Sequence, residues 1–336
     1  MLKQRYLDKQ RNTDCVSVNP SFPKILKIDI CNTCNYNCVI CPQSKQMEKK
    51  GCIDDYLCRK IIEDAFLAGA RELCLSMTGE PLINKRLEEY IFFAKKIGYN
   101  YVFFNTNGYL CDKSRAISLI DSGVDSIKFS INADKKSYEL IHGVDGYDIV
   151  IDNLRNIFEY RNKVCSSCRI YVSYVAVRQT IQEAELLKNK VSNICDEVLI
   201  MNANNRAGSI SELDKDLFLG LDEYAFKYPC SQPFNNAYVT AEGYMIICCQ
   251  DFENYTVVSD LNKEDIVSAW NNEAFTSFRK RYLNGDFKGI LCENCLCNCN
   301  NKVEPFDRAF AGYIESEAKK KDLDNRILIL TNGSDK

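Results

Sequence analysis

Between residue 25 and about residue 201 the chain alternates short apolar runs with longer stretches in which apolar residues recur at i, i+3 and i+4. The short runs are Ile25 to Ile30, Glu72 to Met77, Tyr101 to Phe104, Ser126 to Ile131, Ile170 to Val175 and Glu197 to Met201, and they have the length and content of buried strands. The longer stretches, Asp54 to Ala68, Asn84 to Ile97, Lys113 to Ser122, Tyr147 to Arg161 and Ile181 to Ser192, each carry one apolar stripe, as crossover helices must. Gly98, Gly108, Gly123 and Gly146 fall where these elements have to turn. The alternation predicts an α/β fold of six βα units around a parallel sheet. Periodicity leaves two closures open, a doubly wound sheet and an incomplete (β/α) barrel. Both place the loops that follow the strands on one rim, where ligands bind.

After about residue 206 the pattern turns polar and rich in Asn and Asp, then gives short β-like segments at Tyr238 to Thr240 and Tyr244 to Ile247. The change predicts four regions: an N-terminal extension over 1–24, a core domain over 25–225, a smaller domain over 226–304, and a polar tail over 305–336 with helical character.

At 336 residues and 46% hydrophobic content the chain can bury sizeable cores, and a net charge of -3 gives no basic excess for nucleic acid or an anionic membrane. No apolar run approaches the ~18 residues of a membrane span. The N-terminus lacks a signal-peptide core, so the expected location is cytoplasmic. Nineteen cysteines in such a chain point to metal or cluster ligation rather than a disulfide scaffold. Cys52, Cys58, Cys74, Cys111 and Cys195 sit singly on apolar segments and read as small buried hydrophobes. His142 is the single histidine, which excludes a multi-histidine metal site; its position predicts a surface residue at a helix end, the alternative being a residue that reaches a ligand at the strand-end rim.

The loop after the first predicted strand reads Cys34-Asn35-Tyr36-Asn37-Cys38-Val39-Ile40-Cys41. Three thiolates so spaced can hold three irons of a [4Fe-4S] cube and leave the fourth iron open; a zinc site is the competing reading. Thr78-Gly79-Glu80-Pro81, Asn105-Thr106-Asn107-Gly108 and Ser130-Ile131-Asn132 follow the second, third and fourth predicted strands. Each alone is ordinary turn chemistry. In register with successive strand ends, they resemble the motifs of the radical S-adenosylmethionine (SAM) superfamily. That resemblance implies a partial (β/α)6 TIM-type barrel. It implies a [4Fe-4S] cluster on Cys34, Cys38 and Cys41, with Ile40 at the apolar position of the loop. It further implies that SAM chelates the open iron and is cleaved reductively to a 5′-deoxyadenosyl radical, with an electron donor such as flavodoxin or ferredoxin. By the same resemblance Thr78, Gly79 and Glu80 meet the SAM amino group, Thr78 replacing the usual first glycine. Asn107, Ser130 and Asn132 complete the SAM site.

Cys230-x12-Gly243-x4-Cys248 followed by Cys292-x2-Cys295 resembles the auxiliary-cluster domain called SPASM, or its shorter form, twitch. The implied ligands of a second [4Fe-4S] cluster are Cys230, Cys248, Cys292 and Cys295, with a helix from Asp265 to Phe278 between the two halves. Cys297 and Cys299 depart from the longer SPASM pattern, so one auxiliary cluster is expected; a zinc ribbon is the alternative. Within this group the layout resembles the 2-deoxy-scyllo-inosamine dehydrogenase branch, which oxidises an aminocyclitol alcohol. That resemblance makes Arg206, in Asn205-Arg206-Ala207-Gly208, the candidate for holding or polarising substrate. Where the branch has Phe and Glu after its second auxiliary cysteine, this chain has Cys249 and Gln250. An amide cannot act as the base for an alcohol proton. Cys249 offers instead an S–H bond of the kind that radical SAM epimerases use. The expectation is epimerisation or dehydrogenation of a sugar or aminocyclitol. One rival is peptide maturation, against which the stretch before Cys34 is short for a leader-binding domain of about 80 residues. The other is a non-enzymatic iron-sulfur or zinc module.

Overall fold

The structure, a computed structural model, describes the chain apart from residues 1, 12–14, 46–50, 211–215, 298, 300, 308, 310–316 and 333–336. In chain order its elements are α1 (Leu2–Arg11), β1 (Ile25–Ile28), α2 (Asp55–Leu67), β2 (Glu72–Cys74), α3 (Leu87–Ile97), β3 (Tyr101–Thr106), α4 (Lys113–Asp121), β4 (Ser126–Ser130), α5 (Tyr138–His142), α6 (Tyr147–Lys163), β5 (Arg169–Ala176), α7 (Glu183–Val191) and β6 (Glu197–Asn202). There follow α8 (Gln232–Asn235), β7 (Asn236–Val239), β8 (Tyr244–Ile246), β9 (Val257–Asp260), α9 (Ile266–Trp270), α10 (Glu273–Leu283), α11 (Leu291–Cys297) and α12 (Glu317–Asn332).

All strands lie in one nine-stranded sheet of order β6-β5-β4-β3-β2-β1-β7-β8-β9. Strands β1 to β6 are parallel neighbours in sequence order, which with right-handed crossovers gives a partial TIM-type barrel. The strands expected in a separate small domain extend this same sheet: β7 pairs parallel with β1 in the register Leu26 to Ala237, and β8 and β9 follow antiparallel. Strand β9 escaped the sequence reading because four residues with two adjacent valines show no usable alternation.

The helices start where side chains can satisfy their first N–H groups. The Asp54 carboxylate accepts from Leu57 N, and Asp112 accepts from Arg115 N. The single helix expected from Asp265 to Phe278 is two, because Asn272 accepts from Phe275 N and so starts a fresh helix after Trp270. Outward-facing strand residues such as Leu26, Ile28, Val102, Ile127 and Phe129 are fully buried beneath the helices. Each such side chain contributes about 1.5–3 kcal/mol.

Three connections tie the ends of the chain to the barrel. Helix α1 sits across the starts of the strands, where Glu197 accepts from Leu2 N at 2.6 Å and Lys3 N at 3.0 Å, and Arg5 pairs with Glu72. Trp270 Nε1 donates to the carbonyls of Pro20 and Ser21. At the other end α12 buries Leu323, Ile327 and Leu330, and its Arg326 donates to the carbonyls of Asn37 and Leu140. The polar tail therefore grips the cysteine loop.

Candidate active site

Inside the barrel lies a cavity of about 390 Å³ that runs from α1 to the rim at the strand ends. It is lined by Cys34, Cys38, Ile40 and Cys41, by Thr78, Gly79 and Glu80, by Asn107, Ser130 and Asn132, and by Arg206 and Cys249. Every residue singled out around the first cysteine loop thus converges on one space, and the size suits a small molecule.

The loop is pinned from its own backbone outward. Asn37 N and Val39 N donate to the carbonyls of His142 and Ile141 at 3.1 and 2.9 Å, so the cysteines ride on the end of α5. Gly79 has its reason here: a Cβ would stand 2.2 Å from the Cys31 carbonyl oxygen and 2.5 Å from that of Thr33. Thr78, where a first glycine was expected, donates its hydroxyl to the buried carboxylate of Asp29 at the end of β1. Threonine is accepted there because it replaces backbone freedom with an anchor.

Glu80 is fully enclosed and its carboxylate is occupied by the protein. Oε1 accepts from Leu82 N at 3.0 Å and Thr106 Oγ1 at 2.7 Å, and Oε2 accepts from Asn107 N at 2.7 Å. Burial pushes its carboxyl up to about 7 against these bonds. It locks the second strand-end loop to the third. Asn107 in turn donates from Nδ2 to Asn35 Oδ1 at 2.8 Å and toward Cys34 Sγ at 3.8 Å. Asn132 accepts from Val175 N and so joins β4 to β5.

His142, expected at the surface, is buried and 1% exposed. The apolar periodicity of a five-residue helix was too short to orient it. Asn132 N donates to its Nε2 at 3.1 Å, which places the proton of the neutral ring on Nδ1, 3.3 Å from Cys38 Sγ. Burial, reinforced by Arg326, drops this imidazole to about 3 and keeps it neutral. Tyr36 N points at Cys34 Sγ from 3.4 Å. The sulfurs of Cys34 and Cys38 therefore meet N–H donors.

Burial pushes the Cys34 thiol up to about 12, and burial together with Cys41 and Cys34 raises that of Cys38. Thiolates here need a positive centre. The Cys230, Cys248, Cys292 and Cys295 thiols form a second group, each within electrostatic reach of another member and each raised. Among the described residues no three Cys, His, Asp or Glu side chains draw close enough to grip a single metal ion.

Cys249 lies between the second thiol group and the cavity, packed against Tyr238, with Lys27 and Arg206 nearby. Arg206 sits in a strained turn: Arg206 and Ala207 hold φ of 48° and 54°, the left-handed region, before Gly208 at 85°. The turn is held against α11. Asn205 Nδ2 donates to the carbonyls of Asn294 and Cys299, and a Cβ on Gly208 would stand 2.5 Å from Asn294 Nδ2. Cys299, whose thiol bonds the Glu293 carbonyl and Asn294 Oδ1, serves this packing, while Cys297 is exposed. Of the lone cysteines expected in the core, Cys58, Cys74, Cys111 and Cys195 are buried. Cys52 is exposed, on an isolated bridge to the buried Cys31.

Family models match the chain twice, the radical SAM superfamily over residues 28–188 and the iron-sulfur cluster-binding SPASM domain over residues 230–300. The chain carries a radical SAM domain followed by a SPASM domain. It is a radical SAM enzyme whose cofactors are a [4Fe-4S] cluster, SAM and an auxiliary iron-sulfur cluster. Among its relatives is the S-adenosyl-L-methionine-dependent 2-deoxy-scyllo-inosamine dehydrogenase of Niallia circulans, 26% identical over 281 residues, covering 81% of this chain and 92% of that protein. A probable GTP 3′,8-cyclase of Saccharolobus solfataricus is 31% identical over 141 residues, 40% of this chain and 43% of that protein. In fold the radical SAM enzyme is similar to BtrN in complex with AdoMet and 2-DOIA, with a TM-score of 0.53 at 21% identity over 84% of this chain and 96% of that one. It is also similar to Streptococcus suis SuiB bound to precursor peptide SuiA, with a TM-score of 0.60 at 18% identity over 78% and 67%. Among the described residues no helix is long and apolar enough to cross a membrane.

Sequence reasoning missed four contributors to this radical SAM site: His142 as a sulfur neighbour, Arg326 on the tail, and Lys27 and Lys128 inside the barrel. A signal for the lysines exists in the pattern, since each interrupts a strand between fully buried apolar residues, Leu26 and Ile28 or Ile127 and Phe129. Period-two alternation puts both on the inner face.

Proposed function

We propose that this radical SAM enzyme takes a hydrogen atom from a carbon of a small hydroxylated ring, a sugar or cyclitol, and that Cys249 returns one to the opposite face, giving epimerisation. In this reading Cys34, Cys38 and Cys41 hold the cluster that binds SAM, and Ile40, Thr78, Gly79, Glu80, Asn107, Ser130 and Asn132 shape the SAM site. Cys230, Cys248, Cys292 and Cys295 hold the auxiliary cluster, residues 25–225 and 226–304 form the two functional units, and Arg206 positions substrate. When bound, the reduced cluster and SAM supply a 5′-deoxyadenosyl radical, which becomes 5′-deoxyadenosine on accepting the substrate hydrogen.

The observation that carries the choice of outcome is the company Cys249 keeps in the cavity. Among the described residues lining it the single carboxylate is Glu80, whose oxygens already accept three protein hydrogen bonds. Gln250 cannot accept an alcohol proton, and Lys128, held at about 8 mainly by burial, is protonated at neutral pH. The hydrogen bond from Cys248 lowers Cys249 while Cys248 keeps its proton, and that bond is lost once Cys248 is taken up as a cluster ligand. Cys249 as a thiol needs no base: its S–H bond breaks as the new C–H bond forms. One electron from a carrier of the flavodoxin or ferredoxin type, with one proton, restores the thiol afterwards. Dehydrogenation is the second reading, supported by the relative from Niallia circulans named as a dehydrogenase.

Turnover in deuterated water separates the two. Epimerisation leaves one solvent deuterium at the inverted carbon and no change of oxidation state, and Cys249→Ala then still forms 5′-deoxyadenosine but no epimer. A ketone product without deuterium at that carbon would overturn epimerisation.

A further inference from the structure

The inner face of the barrel gathers cations. Lys27 on β1, Lys128 on β4 and Arg206 after β6 all line the one cavity. They come from three separate stretches of chain, and among the described residues none of the three makes an ion pair or donates a hydrogen bond to a carboxylate. The other cation of the cavity, Arg5, is already paired with Glu72. Glu80 cannot neutralise the three, because Leu82, Thr106 and Asn107 hold its oxygens. Lys27 Nζ stands over the face of Tyr238, 5.0 Å from the ring centroid.

Two of these cations serve as counter-charges to the second thiol group, since Lys27 lies near Cys230 and Arg206 near Cys295. Lys128 does not share it. Its charge is disfavoured by burial and then by Arg206 and Lys27, and apart from Cys74 no thiol favours it. A lysine kept inside a cavity beside two other cations needs an anion that the polypeptide does not provide. The hydroxyls of Ser126, Ser130 and Ser173 and the amides of Gln232 and Asn236 line the same space and suit the hydroxyls of a ring.

Resting on the sugar or cyclitol reading above, we propose that the substrate is anionic, a phosphorylated sugar or cyclitol whose phosphoryl oxygens lie among Lys27, Lys128 and Arg206. The same trio repels an ammonium group, so an aminocyclitol without a phosphoryl group is a poor occupant. Charge sign in the barrel thereby becomes the specificity element that sets this chain apart from its relative acting on an amine-bearing ring.

The test uses the reconstituted holoenzyme with SAM, titrated calorimetrically under anaerobic conditions at fixed ionic strength. The probes are inorganic pyrophosphate, and glucose 1-phosphate and myo-inositol 1-phosphate against glucose, myo-inositol and glucosamine. Pyrophosphate and at least one phosphorylated ring bind at one site, the ring at least tenfold tighter than its neutral parent, and Lys128→Met loses that preference. Because the substitution removes a cation that has no partner, it also raises the apo protein's Tm and leaves iron content unchanged. Equal or tighter binding of the neutral rings or glucosamine, no binding of any phosphoryl probe, or loss of iron in Lys128→Met would overturn the proposal. The underlying radical reading fails separately, by absence of 5′-deoxyadenosine from wild-type enzyme given SAM and reductant alone.

Discussion

The two cysteine groups are built in opposite ways. Cys34, Cys38 and Cys41 lie within one loop after β1, so their spacing is fixed locally, and the rest of the protein supplies only orientation. That orientation comes from afar: His142 from α5, Asn107 from the end of β3, and Arg326 from α12. The second group has no local existence. Cys230 precedes α8, Cys248 follows β8, and Cys292 and Cys295 lie on α11, so the thiols meet only after the sheet has been extended past β1 and α11 has docked on the Arg206 turn. A local ligand set tolerates damage to its surroundings, whereas a dispersed one fails with the fold that assembles it.

The largest effects should come from the ligands themselves. With two four-iron cubes about eight irons are expected, and Cys34→Ala should retain about four and lose SAM cleavage, read by anaerobic iron and sulfide counting with 5′-deoxyadenosine assay. Cys292→Ala should lose a similar amount of iron yet keep SAM cleavage, while substrate conversion falls at least a hundredfold. If both variants lost all iron, the two groups would not be independent and the contrast would collapse.

Smaller effects probe the supports. Asn294 is buried and its side chain bonds the carbonyl and N–H of Asn301 and the Cys299 thiol, so Asn294→Ala leaves several polar groups unpaired. A loss of about 2–4 kcal/mol in chemical unfolding is expected, with the second group losing iron before the first. Arg326→Ala should cost about 1–3 kcal/mol and do the reverse, speeding iron loss from the Cys34 loop alone. The order of iron loss in these two variants, followed by chelator competition, is the sharpest check on the comparison. Last, His142→Phe removes an N–H that faces a ligand sulfur. A bond worth about 1 kcal/mol corresponds to roughly 40 mV for one electron, so the midpoint potential of the first cluster should fall by about that much in a redox titration. An unchanged potential would mean that the ring only fills space.

Much of the barrel was legible from periodicity because six strands, each buried on at least one face, and their crossover helices are long enough to display it; their predicted ends fall within a few residues of the observed ones. Short elements were not. Strand β9 has four residues, and the break between α9 and α10 depends on one asparagine side chain capping a helix, a choice invisible to hydrophobic spacing.

What the sequence determined by itself was chemistry at short range: three cysteines at ligand spacing, polar motifs after successive strands, and a cysteine beside the second group. Those are properties of neighbouring residues, and neighbouring residues stay neighbours in any fold. Only the tertiary structure decided which distant side chains share a space. It put His142 against Cys38, closed Glu80 into three hydrogen bonds, laid the tail across the cysteine loop, and aimed Lys27, Lys128 and Arg206 into one cavity. Such encounters depend on sheet register and helix docking, where a shift of one residue would turn each side chain to the opposite face.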